Sequence, residues 1–200
     1  AREIQIWTDV TGVLTCDPRI CPEARTLKTL SYEEAAELAY FGAKVLHPKT
    51  IQPAVDLQIP VRVCNSHQPA EKGTMILPSA QATPRLVKSI AYKKGITILH
   101  ITSARMLGAF GFMSAIFQIF ERHRTVIDVV TTSEVSVSLT LDNAESLEAG
   151  VKDLQRIAAV EIERDQAVIC VVGSGLRDTA GVAGKIFTAI SDFNISLISH

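Results

Sequence analysis

Two stretches of the sequence combine residue types that can do chemistry. The first is Thr8-Asp9-Val10-Thr11-Gly12-Val13-Leu14-Thr15-Cys16-Asp17-Pro18-Arg19, joined further on by Phe41-Gly42-Ala43-Lys44-Val45-Leu46-His47-Pro48. Thr8 and Asp9 offer polar groups for a sugar or a base, Arg19 and Lys44 offer cations for phosphates, and the turn formers between them let backbone approach a ligand. Each residue also has a plainer reading: Asp17-Pro18-Arg19 as a turn with a surface ion pair, Lys44 as a solvated cation at a helix end. His47 before Pro48 reads equally as a packing residue and as an acid or base. In the second stretch, Gly108 and Gly111 open a helix whose backbone N–H groups suit a carboxylate, while Asp128 and Glu134 can pair with ammonium groups. The alternative makes Met106, Phe112 and Met113 core residues, Asp128 a strand cap and Glu134 a solvated turn residue.

The elements that must position these residues follow from periodicity and punctuation. Residues 3–7 read as a strand running into the turn formers 8–12. Ser31 with Glu34 three residues on is a capping box, followed by the apolar-periodic Tyr32, Ala35, Ala36 and Ala39 and stopped by Gly42. A helix is expected over 50–57, with Pro53 in its first turn, then strands over 59–63 and 74–77. Residues 78–84 carry two prolines and suit a linker. Beyond it, strands are expected over 86–92 and 96–102, joined at Lys93-Lys94-Gly95. A helix carries Phe112, Met113, Ile116, Phe117 and Phe120; a strand is expected over 126–130, and Val135, Val137, Leu139 and Leu141 alternate with polar residues as a one-face-wet strand does. Helical spacing returns at Leu147, Val151, Leu154 and Ala158, then strands at 160–163 and 167–172.

Residues 111–130 laid over 181–200 match Gly with Gly, Ile116 with Ile186 and Phe117 with Phe187, so the chain carries an internal repeat. Each copy reads strand, Gly-bearing loop, helix, strand, which is half of a ferredoxin-like βαββαβ sandwich. The second copy halts at His200 and the chain starts without Met, a reading that makes it a piece of something longer.

Composition narrows the function classes. Twenty Lys and Arg balance 21 Asp and Glu, so no basic footprint invites nucleic acid or anionic lipid. Apolar runs are strand-sized, too short for a membrane span. Four cysteines at 16, 21, 64 and 170 fit neither paired zinc spacing nor a secreted disulfide scaffold, which points to reduced thiols in cytoplasm; no metal site is expected.

The first stretch resembles aspartate kinase, whose nucleotide segment has the form T-D-x-x-G-[VI]-Y-T-x-D-P-R and whose next helix pair carries F-G-A-K-V-L-H-P. Leu14 departs from that pattern, standing where the family has Tyr. The resemblance implies an α/β fold: the C-terminal part of an amino-acid-kinase domain over 1–77, a linker over 78–84, a first α+β ferredoxin-like ACT domain over 85–165 and the start of a tandem second over 166–200. It implies that Thr8 and Asp9 contact a nucleotide, that Arg19 and Lys44 face its phosphates, and that Leu14 and Val45 lie beside them. The implied reaction passes phosphate from ATP, with Mg2+, to the side-chain carboxylate of aspartate, the first step toward lysine, threonine and methionine. The phosphate loop and the aspartate-binding residues of the family are not among these 200 residues, so this piece alone is expected to be inactive.

The second stretch, with Asp128-Val129-Val130-Thr131-Thr132-Ser133-Glu134-Val135-Ser136-Val137, resembles the lysine-sensitive members. That implies an effector pocket of Met106, Gly108, Gly111, Phe112, Met113, Ile127, Asp128, Ser133 and Glu134, with lysine as feedback inhibitor. Ala109 and Val126 stand where such relatives often carry serine, so the effector can differ or be read through backbone. A homodimer through the ACT domains is expected, and some relatives carry a fused second enzyme domain. Two rival readings remain: a non-catalytic amino-acid sensor, and a different amino-acid kinase.

Overall fold

The computed structural model describes residues 1–42, 48–79, 86–108, 110–142, 147–176 and 178–199, without the side chains of 48–51. Lys44, Val45, His47, Ala109 and most of the expected linker lie outside the described residues. The chain forms two units: Ala1–Lys93 with Ile169–Ala189, and Lys94–Val168 with Ile190–His200.

In the first unit a four-stranded sheet has the order β1-β3-β4-β2, from β1 (Ile4–Thr8), β2 (Thr29–Ser31), β3 (Val61–Asn65) and β4 (Thr74–Leu77). β1 runs parallel to β3 with Ile4 opposite Val61 and Thr8 opposite Asn65, whereas β3 and β4 are antiparallel. Helix α1 (Tyr32–Tyr40) starts where the sequence places it: Ser31 Oγ accepts from the Glu34 N–H at 3.1 Å and a Glu34 carboxylate oxygen accepts from the Ser31 N–H at 2.8 Å. Such a cap stabilises a helix by about 1 kcal/mol. Tyr32, Ala35 and Leu38, spaced for one helical face, bury against Leu30, Val61, Val63 and Ile76.

Helix α2 (Pro48–Asp56) begins earlier than expected, which corrects the placing of Pro53: it sits inside the helix, not in the first turn. Pro48 explains the earlier start, since its fixed φ suits a first helical position and its missing N–H costs nothing there.

The second unit has a four-stranded sheet of order β6-β7-β5-β8, built from β5 (Ser89–Thr102), β6 (Val130–Thr132), β7 (Ser136–Leu141) and β8 (Ala159–Val172), with α3 (Phe112–Arg122) and α4 (Leu147–Leu154). Strand, helix, two strands, helix, strand with the first and third strands central is the ferredoxin-like arrangement. Leu99 and Ile101 of β5, Val137, Leu139 and Leu141 of β7, Ile116 and Phe120 of α3, and Leu147 and Leu154 of α4 form its core. Helix α5 (Val182–Ala189) follows β8.

Three strand expectations change. The two strands expected over 86–102 are one, β5, whose Gly95 takes φ 74° within the strand. Likewise 160–172 is the single strand β8, passing through Asp165 at φ 54°. A left-handed residue in a long paired strand bends the ladder without ending it, as a bulge does. Of the strand expected over 126–130 only Val130 is regular, and β6 runs on to Thr132; before it, Asp128 and Val129 meet Thr140 through a single backbone bond each and through its hydroxyl.

Candidate functional site

At the C-terminal end of β1 the Thr8 hydroxyl donates to Asp9 Oδ1 at 3.0 Å, and Ser66, after β3, donates both its N–H and its hydroxyl to the Thr8 carbonyl. The parallel β1–β3 pair thus ends in a cluster of small polar groups. Gly12, at φ 137°, then lets the chain press onto Thr74; a Cβ there would lie 2.4 Å from the Thr74 hydroxyl. That hydroxyl accepts from the Val13 N–H at 2.9 Å and donates to the Leu27 carbonyl at 2.6 Å, pinning the base of the next loop.

The loop is a narrow excursion held by Leu14 bridging Thr26, Thr15 bonded to Arg25, and the Thr11 and Thr26 hydroxyls 2.9 Å apart. Half-buried Leu14 belongs to its stem. At the tip Asp17 accepts from the Arg19 N–H at 2.9 Å and grips the guanidinium through Nε and Nη2, the latter at 2.6 Å. Arg19 stays 74% exposed, and the paired carboxylate raises its affinity for its proton. The structure therefore places Thr8 and Asp9 at one strand end and Arg19 in a turn braced by its own aspartate.

In the second unit the loop after β5 and the turn between β6 and β7 adjoin: Thr102 lies opposite Ser136, and the Ser103 N–H donates to the Val135 carbonyl at 2.9 Å. Ser103 caps a short 3-10 turn (Ala104–Met106), accepting from the Arg105 N–H. Gly108 and Gly111 take φ 67° and 80° with open space around both, so conformation and not crowding selects glycine there. Gly111 is the N-cap of α3 and supplies no side-chain acceptor for the first-turn N–H groups. Ser133 and Ser136 share a 2.6 Å hydroxyl contact in the turn, with Glu134 exposed beside them.

Met106, Phe112, Met113 and Ile127 are half-buried and pack against the core of this unit, so they act as core and as wall together. Asp128 is different in level. It sits opposite Thr140, four residues along β7 from Ser136, which is about 13 Å at the rise of a strand. Its Oδ2 is buried. One chain thus gathers the start of the loop after β5, at Ser103, with Ser133 and Glu134, and sets Ile127 and Asp128 further along the sheet.

A third polar cluster escaped the sequence reading. Glu34, in the first turn of α1 and one half of its capping box, lies with Lys88 Nζ 2.8 Å from each of its carboxylate oxygens, the two side chains 7% and 3% exposed. Ser174, after β8, donates its hydroxyl to Glu34 at 2.6 Å. Burial works to raise the Glu34 carboxyl, but the bonds from Lys88, Ser174 and the Ser31 N–H prevail and hold it below its ordinary value. A lysine amid apolar strand residues was the available signal.

Among the described residues no group of three or more His, Cys, Asp or Glu is placed to hold a metal ion, and no helix is long and apolar enough to cross a membrane. The amino acid kinase family matches residues 1–65 and the ACT domain matches 169–200. Arabidopsis thaliana aspartokinase 3, a chloroplastic protein, is 46% identical over 210 residues, covering 100% of this chain and 37% of the relative. The crystal structure of Escherichia coli aspartokinase III in complex with aspartate and ADP (R-state) matches 100% of the chain and 46% of its own length, at 38% identity and TM-score 0.89. The same enzyme with lysine and aspartate (T-state) matches with TM-score 0.85. The chain spans less than half the length of these relatives. These likenesses run the full length of the chain, which is similar throughout to the aspartokinases.

Proposed function

We propose that the protein containing this chain is a lysine-inhibited aspartokinase, transferring the terminal phosphate of MgATP to the side-chain carboxylate of aspartate to give 4-phospho-L-aspartate. The observation that carries the reading is the full-length likeness to a relative that holds aspartate and ADP. The chain supplies nucleotide-binding surface over 1–77. Thr8 and Asp9 take the sugar or base, with Leu14 and Val45 alongside; Arg19 and Lys44 neutralise phosphate charge. Asp17 holds Nε and Nη2 of Arg19, and in this reading Nη1 is the group that meets the phosphates. Such transfer depends on positioning and charge neutralisation, and Mg2+ arrives bound to the ATP.

The regulatory part comprises an ACT domain over 85–165, with 166–200 beginning a second. Lysine is the effector: the open N-terminus of α3 at Gly111 takes its carboxylate, and Ser133, Glu134 and Asp128 take its ammonium groups. Because Asp128 stands about a strand length from Glu134 in one chain, a pocket using both is completed where two chains pair. Leu107 and Phe110, 65% and 104% exposed on the effector loop, supply apolar surface for that homo-oligomer. Four free cysteines suit a reducing compartment, which we take to be the cytoplasm.

The intact enzyme, given MgATP and aspartate, is expected to yield a hydroxylamine-trapped aspartyl hydroxamate that falls as lysine is added. No hydroxamate above the ATP-free control would refute the kinase assignment; undiminished hydroxamate at saturating lysine would refute the effector.

A further inference from the structure

Glu34 joins three segments that are far apart in the chain. It lies in the first turn of α1, Lys88 immediately precedes β5, and Ser174 follows β8. The backbones of the last two interlock as well: the Lys88 N–H donates to the Val172 carbonyl at 2.9 Å, and a Cβ on Gly173 would lie 1.8 Å from the Leu86 carbonyl oxygen. A buried carboxylate and ammonium cannot part without stranding a charge, so the cluster has a made state and a costly broken one.

We propose that Glu34 is a positioning residue of the kinase: its carboxylate, gripped by Lys88 and Ser174, is the junction through which the regulatory strands hold α1 against the sheet whose β1 leads to Thr8 and Asp9. The inference rests on the function proposed above. β5 runs unbroken from Ser89, next to Lys88, to Thr102, next to the effector loop. β8 ends at Val172, two residues before Ser174. A shift of either strand along its axis therefore pulls on the Glu34 carboxylate. Helix α1 buries Tyr32, Ala35 and Leu38 against Val61 and Val63 of β3, the strand paired with β1, so its placement bears on the end of β1 where Thr8 and Asp9 stand. An effector that moves the strands has in this cluster a two-state element to act on.

The test uses the intact enzyme with three variants. Ser174→Ala removes only the loop hydroxyl. Glu34→Leu with Lys88→Met replaces the pair by apolar groups, avoiding the stranded carboxylate that Lys88→Met alone would leave. Lys88→Arg keeps the charge. The first two are expected to raise KM for ATP about fivefold with kcat within about twofold, a split that general damage does not give. They are also expected to weaken lysine inhibition about tenfold while calorimetric lysine affinity stays within about threefold. Lys88→Arg restores wild-type values. A folded double variant with wild-type KM for ATP and wild-type lysine response overturns the proposal, as does an equal loss of kcat and lysine affinity. If the wild-type enzyme makes no aspartyl phosphate, the functional reading fails instead, and calorimetric ATP affinity of the same variants decides the role of Glu34: a fall of about fivefold supports it and no change overturns it.

Discussion

β5 of the first repeat copy ends at Thr102 and β8, at the matching position of the second, ends at Val172; the helices that follow begin in the same register at Phe112 and Val182, behind glycines at φ 80° and 82°. Between strand and helix the copies part company. In the first, Ser103 caps its own short turn and the loop beyond it stands open around Gly108 and Gly111. In the second, Gly173 lies against the Leu86 backbone and Ser174 reaches Glu34 on α1. One backbone plan thus gives a loop open around its glycines in one copy and an internal dock in the other. The side chain at the strand exit, serine or glycine, decides whether another segment can approach.

The sharpest way to break this contrast is to exchange those exit residues. Gly173→Ser gives the second copy the residue of the first and drives a Cβ into the Leu86 carbonyl, where neither backbone can yield cheaply. We expect a loss of at least about 3 kcal/mol in urea unfolding. Ser103→Gly, the reverse exchange, removes a cap from an open loop and should cost about 1 kcal/mol. Similar losses for the two would mean that the docked loop is no tighter than the open one.

Next in size is the charge at the dock. Lys88→Met leaves the Glu34 carboxylate buried without its ammonium partner, a change that costs about 3–5 kcal/mol, whereas the double substitution Glu34→Leu, Lys88→Met should lie within about 1–2 kcal/mol of wild type, part of it the lost cap. Thermal unfolding of the three proteins reads the difference. Acid sharpens it. The Glu34 carboxyl is held below its ordinary value in the folded protein, so its contribution is present above the unfolded value near 4.5 and disappears as pH falls through the folded value. Glu34→Gln should flatten that part of the stability–pH curve, and an unchanged slope below pH 4.5 would count against the dock.

How far such features could be read from the chain depended on their range. The Ser31–Glu34 box is a local pattern of hydrogen bonds, three residues apart, and the sequence reading placed it correctly. The second role of Glu34 was hidden because its partners lie 54 and 140 residues away, and no periodicity reports on pairing at that distance. Gly95 and Asp165 misled for the opposite reason: turn-forming residues mark bulges in long strands as readily as they mark ends. In the candidate nucleotide site the residue types were legible, but the grip of Asp17 on Arg19 needed the geometry of the turn. In the loop before α3 the glycines were legible as helix openers, and their open surroundings were not.

Those open surroundings give a smaller prediction. Gly111→Ala meets no atom within 4 Å, so its cost is the left-handed backbone alone, about 1 kcal/mol, against the steric loss expected for Gly173. Chemical denaturation resolves such a difference. A loss at Gly111 as large as that at Gly173 would show the first loop to be packed as well.

The mildest perturbation compares His100 with its counterpart in the repeat, Cys170. His100 is ringed by polar groups, with the Ser138 hydroxyl at 2.8 Å and Glu163 at 3.2 Å, and Glu163 also accepts from Ser196. Cys170 instead packs against the core of the first unit, and burial, helped by the charge of Glu37, pushes its thiol up to about 11. At pH 8 that leaves it on the order of a hundredfold less thiolate than an ordinary cysteine. Iodoacetamide followed by mass spectrometry should therefore label Cys170 far more slowly in the native protein than in urea, and Ser174→Ala should speed the native reaction by loosening the loop four residues on. Native labelling as fast as in urea would place β8 away from the core, and with it the loop that carries Ser174.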